Sequence, residues 1–218
     1  ARILVVGAGG LGSPILYYLS AAGIGQIGIM DNDTVSESNL QRQILYDTTC
    51  IGMPKVDIAA AKLKQLNPFV TIDPHFSRLS LDNALDIISQ YDIVMDATDN
   101  LYTRYLINDA CVKLNKPFVY GSICEFNGQI SVFNYKGGPT YRDLFEYNDQ
   151  VKDFSQPLGV LGALPGIVGS LQAIEAIKII LEHPGVLSGK LLTIDILNNM
   201  YLTFAISKKE EVHDSLFK

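Results

Sequence analysis

The residues of this chain that can do chemistry sit in short stretches directly after apolar runs. Gly7-Ala8-Gly9-Gly10-Leu11-Gly12 fits the pattern G-x-G-x-x-G between a strand pattern and a helix pattern. Glycine at Gly7, Gly9, Gly10 and Gly12 permits a tight turn and lets phosphate approach the backbone, while the helix N-terminus supplies oriented N–H groups. Asp31 closes the next strand pattern, where a carboxylate can accept hydrogen bonds from ribose hydroxyls, and Asp33 lies beside it. Together these features predict a bound nucleotide.

Which nucleotide depends on the residues C-terminal to Asp31, because a dinucleotide and a triphosphate suit the glycine fingerprint equally. The next stretch is Ser38-Asn39-Leu40-Gln41-Arg42-Gln43, and Lys55 opens a later helix pattern. On a helix Asn39 and Arg42 would share a face, with Gln43 beside them. A triphosphate needs cations where charge builds during transfer. Arg42 and Lys55 can supply them, although either alone would more simply be a solvated surface charge. Further along, Asp96-Ala97-Thr98-Asp99-Asn100 ends another buried strand pattern. Hard carboxylate oxygens there suit magnesium shared with substrate phosphates. Asp99 is the candidate ligand with Asn100 next to it, and Asp96 is the candidate structural partner. One of the two acids can instead cap the helix after it, and Arg104 is placed to hold the loop by pairing.

Elements that bring these stretches together are legible in the hydrophobic pattern. Ile3–Val6, Gln26–Met30, Val70–His75, Ile93–Met95 and Phe118–Ser122 read as strands. Helix patterns cover Ser13–Ala22, Pro54–Leu66, Leu81–Ser89 and Thr103–Leu114, with a short one over Ser38–Leu45. In Pro54–Leu66 the expected buried face is Ile58, Ala61 and Leu66. Alternating strands and helices predict an α/β, doubly wound, mainly parallel sheet, whose right-handed crossovers put the loops after the strands on one edge. After Cys124 the rhythm changes. Asn127-Gly128 is the expected turn of a hairpin, and Gln129–Tyr135 its second strand. Gly137–Pro157 reads as a mobile, lid-like loop, Gly159–Gly169 as a glycine-rich lead, Ser170–Leu181 as a helix, and Leu191–Ile196 and Tyr201–Ile206 as closing strands. The whole, residues 1–218, is expected to be one domain: a nucleotide-binding part over 1–122 and an antiparallel C-terminal extension over 123–218.

Composition narrows the partners. The chain has 218 residues, 48% of them hydrophobic, enough for one sizeable core. A net charge of −6 without clustered lysine and arginine argues against nucleic acid. No uninterrupted apolar run is long enough for a bilayer, so no membrane partner is expected. The three cysteines, Cys50, Cys111 and Cys124, form no C-x-x-C pair. Reduced packing thiols in a cytoplasmic protein are the simplest reading; Cys124 is expected to be partly buried. Ala1 is not methionine and Arg2 runs straight into a strand pattern, so residues are expected to precede it.

The glycine motif, Ser38–Gln43, Thr98-Asp99-Asn100, Asn108-Asp109-Ala110-Cys111, Asn127-Gly128-Gln129 and Gly159–Lys178 together resemble the ThiF/MoeB/HesA family, related to the adenylation domains of ubiquitin-activating enzymes. The resemblance covers nearly the whole chain. It implies a Rossmann-like fold, ATP and Mg2+ as cofactors, and a homodimer. It also implies adenylation of the C-terminal glycine of a small ubiquitin-like sulfur carrier protein with a Gly-Gly end, in thiamine or molybdenum-cofactor synthesis. By the family motif Asp31 holds the ribose, Asn39, Arg42 and Lys55 the phosphates, and Asp99 the magnesium. Many relatives bind a structural zinc through two C-x-x-C pairs. Here the first pair is replaced by Thr140-Tyr141-Arg142-Asp143 and no second pair stands near the C-terminus, so zinc is not expected. A cysteine that some relatives carry before the Gly-Val-Leu-Gly segment is also missing from Phe154-Ser155-Gln156-Pro157.

Two other readings compete. An NAD-dependent oxidoreductase would explain the glycine fingerprint and Asp31 but leaves Arg42, Lys55 and Asp99 without a joint purpose. A non-catalytic carrier-binding module of the same fold would have no need to keep all three.

Overall fold

A computed structural model describes residues 1–146, 159–209 and 215–217. Its centre is an eight-stranded sheet in the order β3-β2-β1-β4-β5-β6-β7-β8. The first five strands, β1 (Arg2–Val6), β2 (Gln26–Met30), β3 (Thr71–His75), β4 (Ile93–Asp96) and β5 (Phe118–Cys124), are parallel. The last three, β6 (Asn127–Phe133), β7 (Lys190–Asp195) and β8 (Met200–Ala205), extend it antiparallel. The expected α/β fold with a parallel half and an antiparallel extension is the observed one, and β5 runs through residue 122 without a break.

Central strands are buried on both faces because helices cover both. In β1, Ile3 and Val5 enter one core while Leu4 and Val6 enter the other, the period-2 alternation of a pleated strand. The first core is covered by α1 (Gly12–Ala21), α2 (Lys55–Leu66) and α6 (Ala163–Ile180), and the second by α3 (Ala84–Ser89), α4 (Leu101–Lys113) and α5 (Tyr141–Leu144). Each fully buried Ile or Leu, such as Ile15 and Leu16, contributes about 1.5–3 kcal/mol relative to exposure.

Four local expectations are corrected. Ser38–Leu45 is a 3-10 turn over Glu37–Asn39 continued by further turns, not a helix. In α2 the buried residues are Lys55, Val56, Ala59, Ala60 and Leu63, whereas Ala61 and Leu66 face solvent. The β5–β6 hairpin turns at Glu125-Phe126, with Glu125 in the left-handed region at φ 51, and Asn127-Gly128 already pairs in the strand.

Finally, α6 starts at Ala163 rather than Ser170. Pro165 lies in its first turn, where a missing N–H costs nothing. At Gly169 a Cβ would come within 2.5 Å of the Leu11 carbonyl oxygen, so the glycine lets α6 close on α1. Among the described helices α6 alone has the length and composition to cross a bilayer, yet half of it is buried in this fold. Within the expected lid, α5 occupies Tyr141–Leu144, and 147–157 lies outside the described residues.

Candidate active site

The loops after β1, β2, β4 and β5 meet at the edge where parallel strands end, and a cleft of about 780 Å3 opens there. Gly7 takes φ +98, and a Cβ on it would lie 2.5 Å from the Ala97 carbonyl oxygen, so the turn demands glycine. Gly9 and Gly10 line the cleft. Gly12 does not: a Cβ there would stand 2.1 Å from the Gly7 carbonyl oxygen, so it serves the tight packing of the turn against α1. Among the described residues nothing accepts from the N–H groups of Gly9, Gly10 and Leu11. They form the donor set an anion would find at the start of α1.

Asp31 fastens this loop to the next. One of its oxygens accepts from the Ala8 N–H at 2.8 Å and the other from the Asp33 N–H at 2.8 Å. Spare lone pairs remain on both oxygens for ribose hydroxyls. Tyr46 supports the loop from below, donating its buried hydroxyl to the Ala8 carbonyl at 2.8 Å. Burial pushes the ionisation of that phenol well above its ordinary value, so it remains a donor.

The predicted cation stretch reaches the cleft by a different local route from the one expected. Asn39, Arg42 and Gln43 are held by single turns: the Arg42 and Gln43 N–H groups donate to the Asn39 carbonyl, and Gln43 Nε2 donates to Asn39 Oδ1 at 3.0 Å. Gln43 is buried, and its Oε1 has no hydrogen-bond partner among the described residues, which leaves an acceptor for a ligand donor. Arg42 is half-buried and touches the Ser38 carbonyl only at 3.4 Å. Lys55 is buried in the first turn of α2, and its Nζ pairs with Asp33 Oδ2 at 2.9 Å.

On the other side of the cleft the two aspartates at the end of β4 have separate tasks. Asp96 is fully buried and accepts from the Thr98 N–H and hydroxyl at 3.0 and 2.6 Å. Arg104 lies 3.5 Å from its other oxygen and donates to the Thr98 carbonyl at 3.0 Å. Burial pushes the Asp96 carboxyl above its usual range, and Arg104 opposes that rise. Asp99 is exposed at the cleft wall, with no hydrogen bond or ion pair among the described residues. A free hard oxygen donor beside a phosphate-sized cradle fits magnesium. The helix cap is neither acid but Asn100, whose Oδ1 accepts from the Thr103 N–H at 2.9 Å.

The cleft therefore gathers every predicted site residue except Gly12. It also takes Ser77, Arg78 and Leu79 from the segment after β3, which no motif marks. Their only sequence signal is position, directly after a parallel strand. Cys124 and Glu125 line it too, and Cys124 is exposed rather than partly buried.

The model of the ThiF family matches residues 1–214. The chain is 52% identical over 209 residues to the "Probable molybdopterin-synthase adenylyltransferase" of Porphyra purpurea, covering 94% of this chain and 55% of that protein. It is 44% identical over 215 residues to the "Sulfur carrier protein adenylyltransferase" of Thermus thermophilus, covering 95% of this chain and 79% of that protein. The chain spans about half the length of several such curated relatives. Among solved structures, "Crystal structure of E. coli MccB + ATP" superposes with a TM-score of 0.84 at 18% identity, over 96% of this chain and 64% of that one; this likeness is one of fold.

Proposed function

The chain belongs to the ThiF family, and from that premise we propose that it transfers AMP from ATP to the C-terminal glycine carboxylate of a small ubiquitin-like sulfur carrier protein. Pyrophosphate is the leaving group. The observation that carries this reading is the convergence around the glycine turn of Lys55, Arg42 and Asp99, the last unpaired among the described residues. A hydride-transferring enzyme would use the turn and Asp31 but has no need of that set.

The chemistry asks little proton transfer of the protein. A C-terminal carboxylate has a pKa near about 3.5 and is already an anionic nucleophile at neutral pH. What remains is alignment and charge neutralisation. Donors at Gly9, Gly10 and Leu11 cradle phosphate oxygens, and Asp31 orients the ribose. Lys55 and Arg42, with Asn39 and Gln43 beside them, face the charge that grows on the departing pyrophosphate. Magnesium held by Asp99 would supply further neutralisation when bound. Asp96 and Arg104 act behind it, fixing the turn that presents Asp99.

We place the protein in the cytoplasm as a homodimer, with residues 1–218 forming one adenylation domain and a carrier ending in Gly-Gly as its partner. Thiamine and molybdenum-cofactor synthesis are the two contexts in view, and the relatives named for molybdopterin synthase favour the second. The test is incubation of the protein with Mg-ATP and a panel of Gly-Gly-ending carriers. Carrier-dependent pyrophosphate release, with carrier mass increased by AMP, is the expected result. ATP binding without release on any carrier would favour a binding module.

A further inference from the structure

Where the family resemblance implies the first zinc-binding pair, Thr140-Tyr141-Arg142-Asp143 forms α5 and its cap. Asp143 Oδ2 accepts from the Thr140 N–H and hydroxyl at 2.6 and 2.9 Å, a reciprocal capping box. The remaining oxygen, Oδ1, accepts from the N–H of Lys209 at 2.8 Å, just beyond β8. A second buried carboxylate lies alongside, on α4. Asp109 Oδ1 accepts from Arg142 Nε at 2.7 Å and from Asn108 Nδ2 at 2.9 Å. Its Oδ2 accepts from Arg142 Nη2 at 2.7 Å and from the N–H of Leu216 at 2.8 Å. Arg142 and Asp109 are almost wholly buried, and the Arg142 guanidinium lies 5.0 Å from the Tyr105 ring.

Zinc does not fit this donor set. Its structural sites take four nitrogen or thiolate ligands, whereas both carboxylates here are occupied by N–H and hydroxyl donors and a guanidinium already neutralises Asp109. No group of three or more His, Cys, Asp or Glu side chains among the described residues could hold a metal. The arrangement joins α4 and α5 to Lys209 and Leu216 by hydrogen bonds.

We propose that Asp109, Arg142 and Asp143 are a metal-free clasp that binds the chain's own C-terminal segment through the backbone N–H groups of Lys209 and Leu216. Arg142 is the paired cation of Asp109 in its buried place, and charge-assisted bonds to the two carboxylates hold Lys209 and Leu216. Apolar packing secures the same segment: Leu216 and Phe217 lie on the second core, with Lys113 over the Phe217 ring at 5.7 Å. The clasp does not depend on adenylation, so it stands or falls apart from the proposed reaction.

The test uses the full chain purified from zinc-supplemented cells, with metal analysis, chelator treatment and amide hydrogen exchange. The expected results are no stoichiometric zinc and an unfolding midpoint unmoved by chelator. Asp143→Asn should speed exchange at Lys209, and Asp109→Asn at Leu216, each by about tenfold while β1 amides keep their protection. Should Asp109→Asn not fold, Leu216→Pro removes the same bond from the other side and should speed exchange in a peptide covering 215–217. One zinc per chain whose removal lowers the midpoint would overturn the proposal. So would exchange at Lys209 and Leu216 that is already fast in the unaltered protein, or that rises equally everywhere in the variants.

Discussion

Lys55 Nζ lies 2.9 Å from Asp33 Oδ2, and the two partners differ sharply in exposure: the Lys55 side chain is 4% accessible and that of Asp33 63%. A buried cation held by an exposed anion is poised to change partners. A polyphosphate entering the cleft can replace Asp33 as counter-ion without dragging the lysine out of place. Under the proposed function, the first turn of α2 would hold its charge against the β2 loop until ATP takes the place of Asp33.

From this pairing, Lys55→Met should leave the fold nearly intact, since only an exposed carboxylate loses its partner. Turnover should fall by about a hundred- to a thousandfold, the usual loss when one transition-state donor is removed. Asp33→Asn should behave in the opposite way. It leaves the lysine buried without its anion, costing about 1 kcal/mol after allowance for the solvent around Asp33, and Mg-ATP should restore the lost stability. Thermal unfolding with and without nucleotide, beside pyrophosphate release, checks both; equal loss of turnover in both variants would contradict the partner exchange.

The two aspartates at the end of β4 predict a second contrast. Asp99 is exposed and unpaired among the described residues, so Asp99→Ala should change the unfolding midpoint little while abolishing AMP transfer. Asp96 is fully buried against Arg104, so Asp96→Ala leaves a buried guanidinium uncompensated and should cost about 3–5 kcal/mol. Denaturant titration separates the two. Preserved turnover in Asp99→Ala would remove the magnesium assignment.

Much of this site is legible in the sequence because its parts come directly after buried strands whose apolar runs are hard to misread. Ile3–Val6, Gln26–Met30 and Ile93–Met95 carry the positions of the glycine turn, Asp31 and Asp99 with them. Detail set by tertiary contact is not legible in the same way. The pattern misplaces the buried face of α2 because apolar residues lie on both sides and because Lys55, which a pattern counts as polar, is drawn inside by Asp33. The start of α6 is hidden by Gly166 and Gly169, residues that weaken an isolated helix, although Gly169 is what allows this one to reach α1. Ser77–Leu79 carries no motif; only the three-dimensional convergence of strand ends brings it to the cleft. In sequence Asp109 is a motif residue and Arg142 a departure from a zinc pair, with nothing to join the two.

One acid-sensitive contact lies where β1 begins. Arg2 and Asp92 pair at 2.7 Å, and Asp92 also accepts from the Arg2 N–H at 2.9 Å. The guanidinium beside it holds the Asp92 carboxyl below its usual range. A depressed folded-state pKa contributes stability that is present above the unfolded value, about 3.9, and is lost as pH falls through the folded value. Asp92→Asn should therefore cost no more than about 1 kcal/mol at pH 7, as befits a half-exposed pair. The gap between variant and parent should close as the pH drops below about 4. Urea titrations at several pH values measure this, and a gap independent of pH would assign the effect to packing rather than charge.

The choice between triphosphate and dinucleotide can be read from stability alone, before any carrier is known. A ligand that binds only the folded state at about a hundred times its dissociation constant stabilises by about 2.7 kcal/mol. Mg-ATP should raise the unfolding midpoint, and NAD at equal concentration should not, because Lys55 and Arg42 are placed for charge that a dinucleotide lacks. Two substitutions make the comparison specific. Asp31→Ala removes the proposed ribose contact, which both nucleotides would share, and should abolish any shift. Arg42→Met removes only a phosphate cation, so it should weaken the shift from Mg-ATP while leaving a bare adenosine contact untouched. If NAD stabilised the protein and Arg42→Met left that shift unchanged, the cleft would be a dinucleotide site and Arg42 a surface charge.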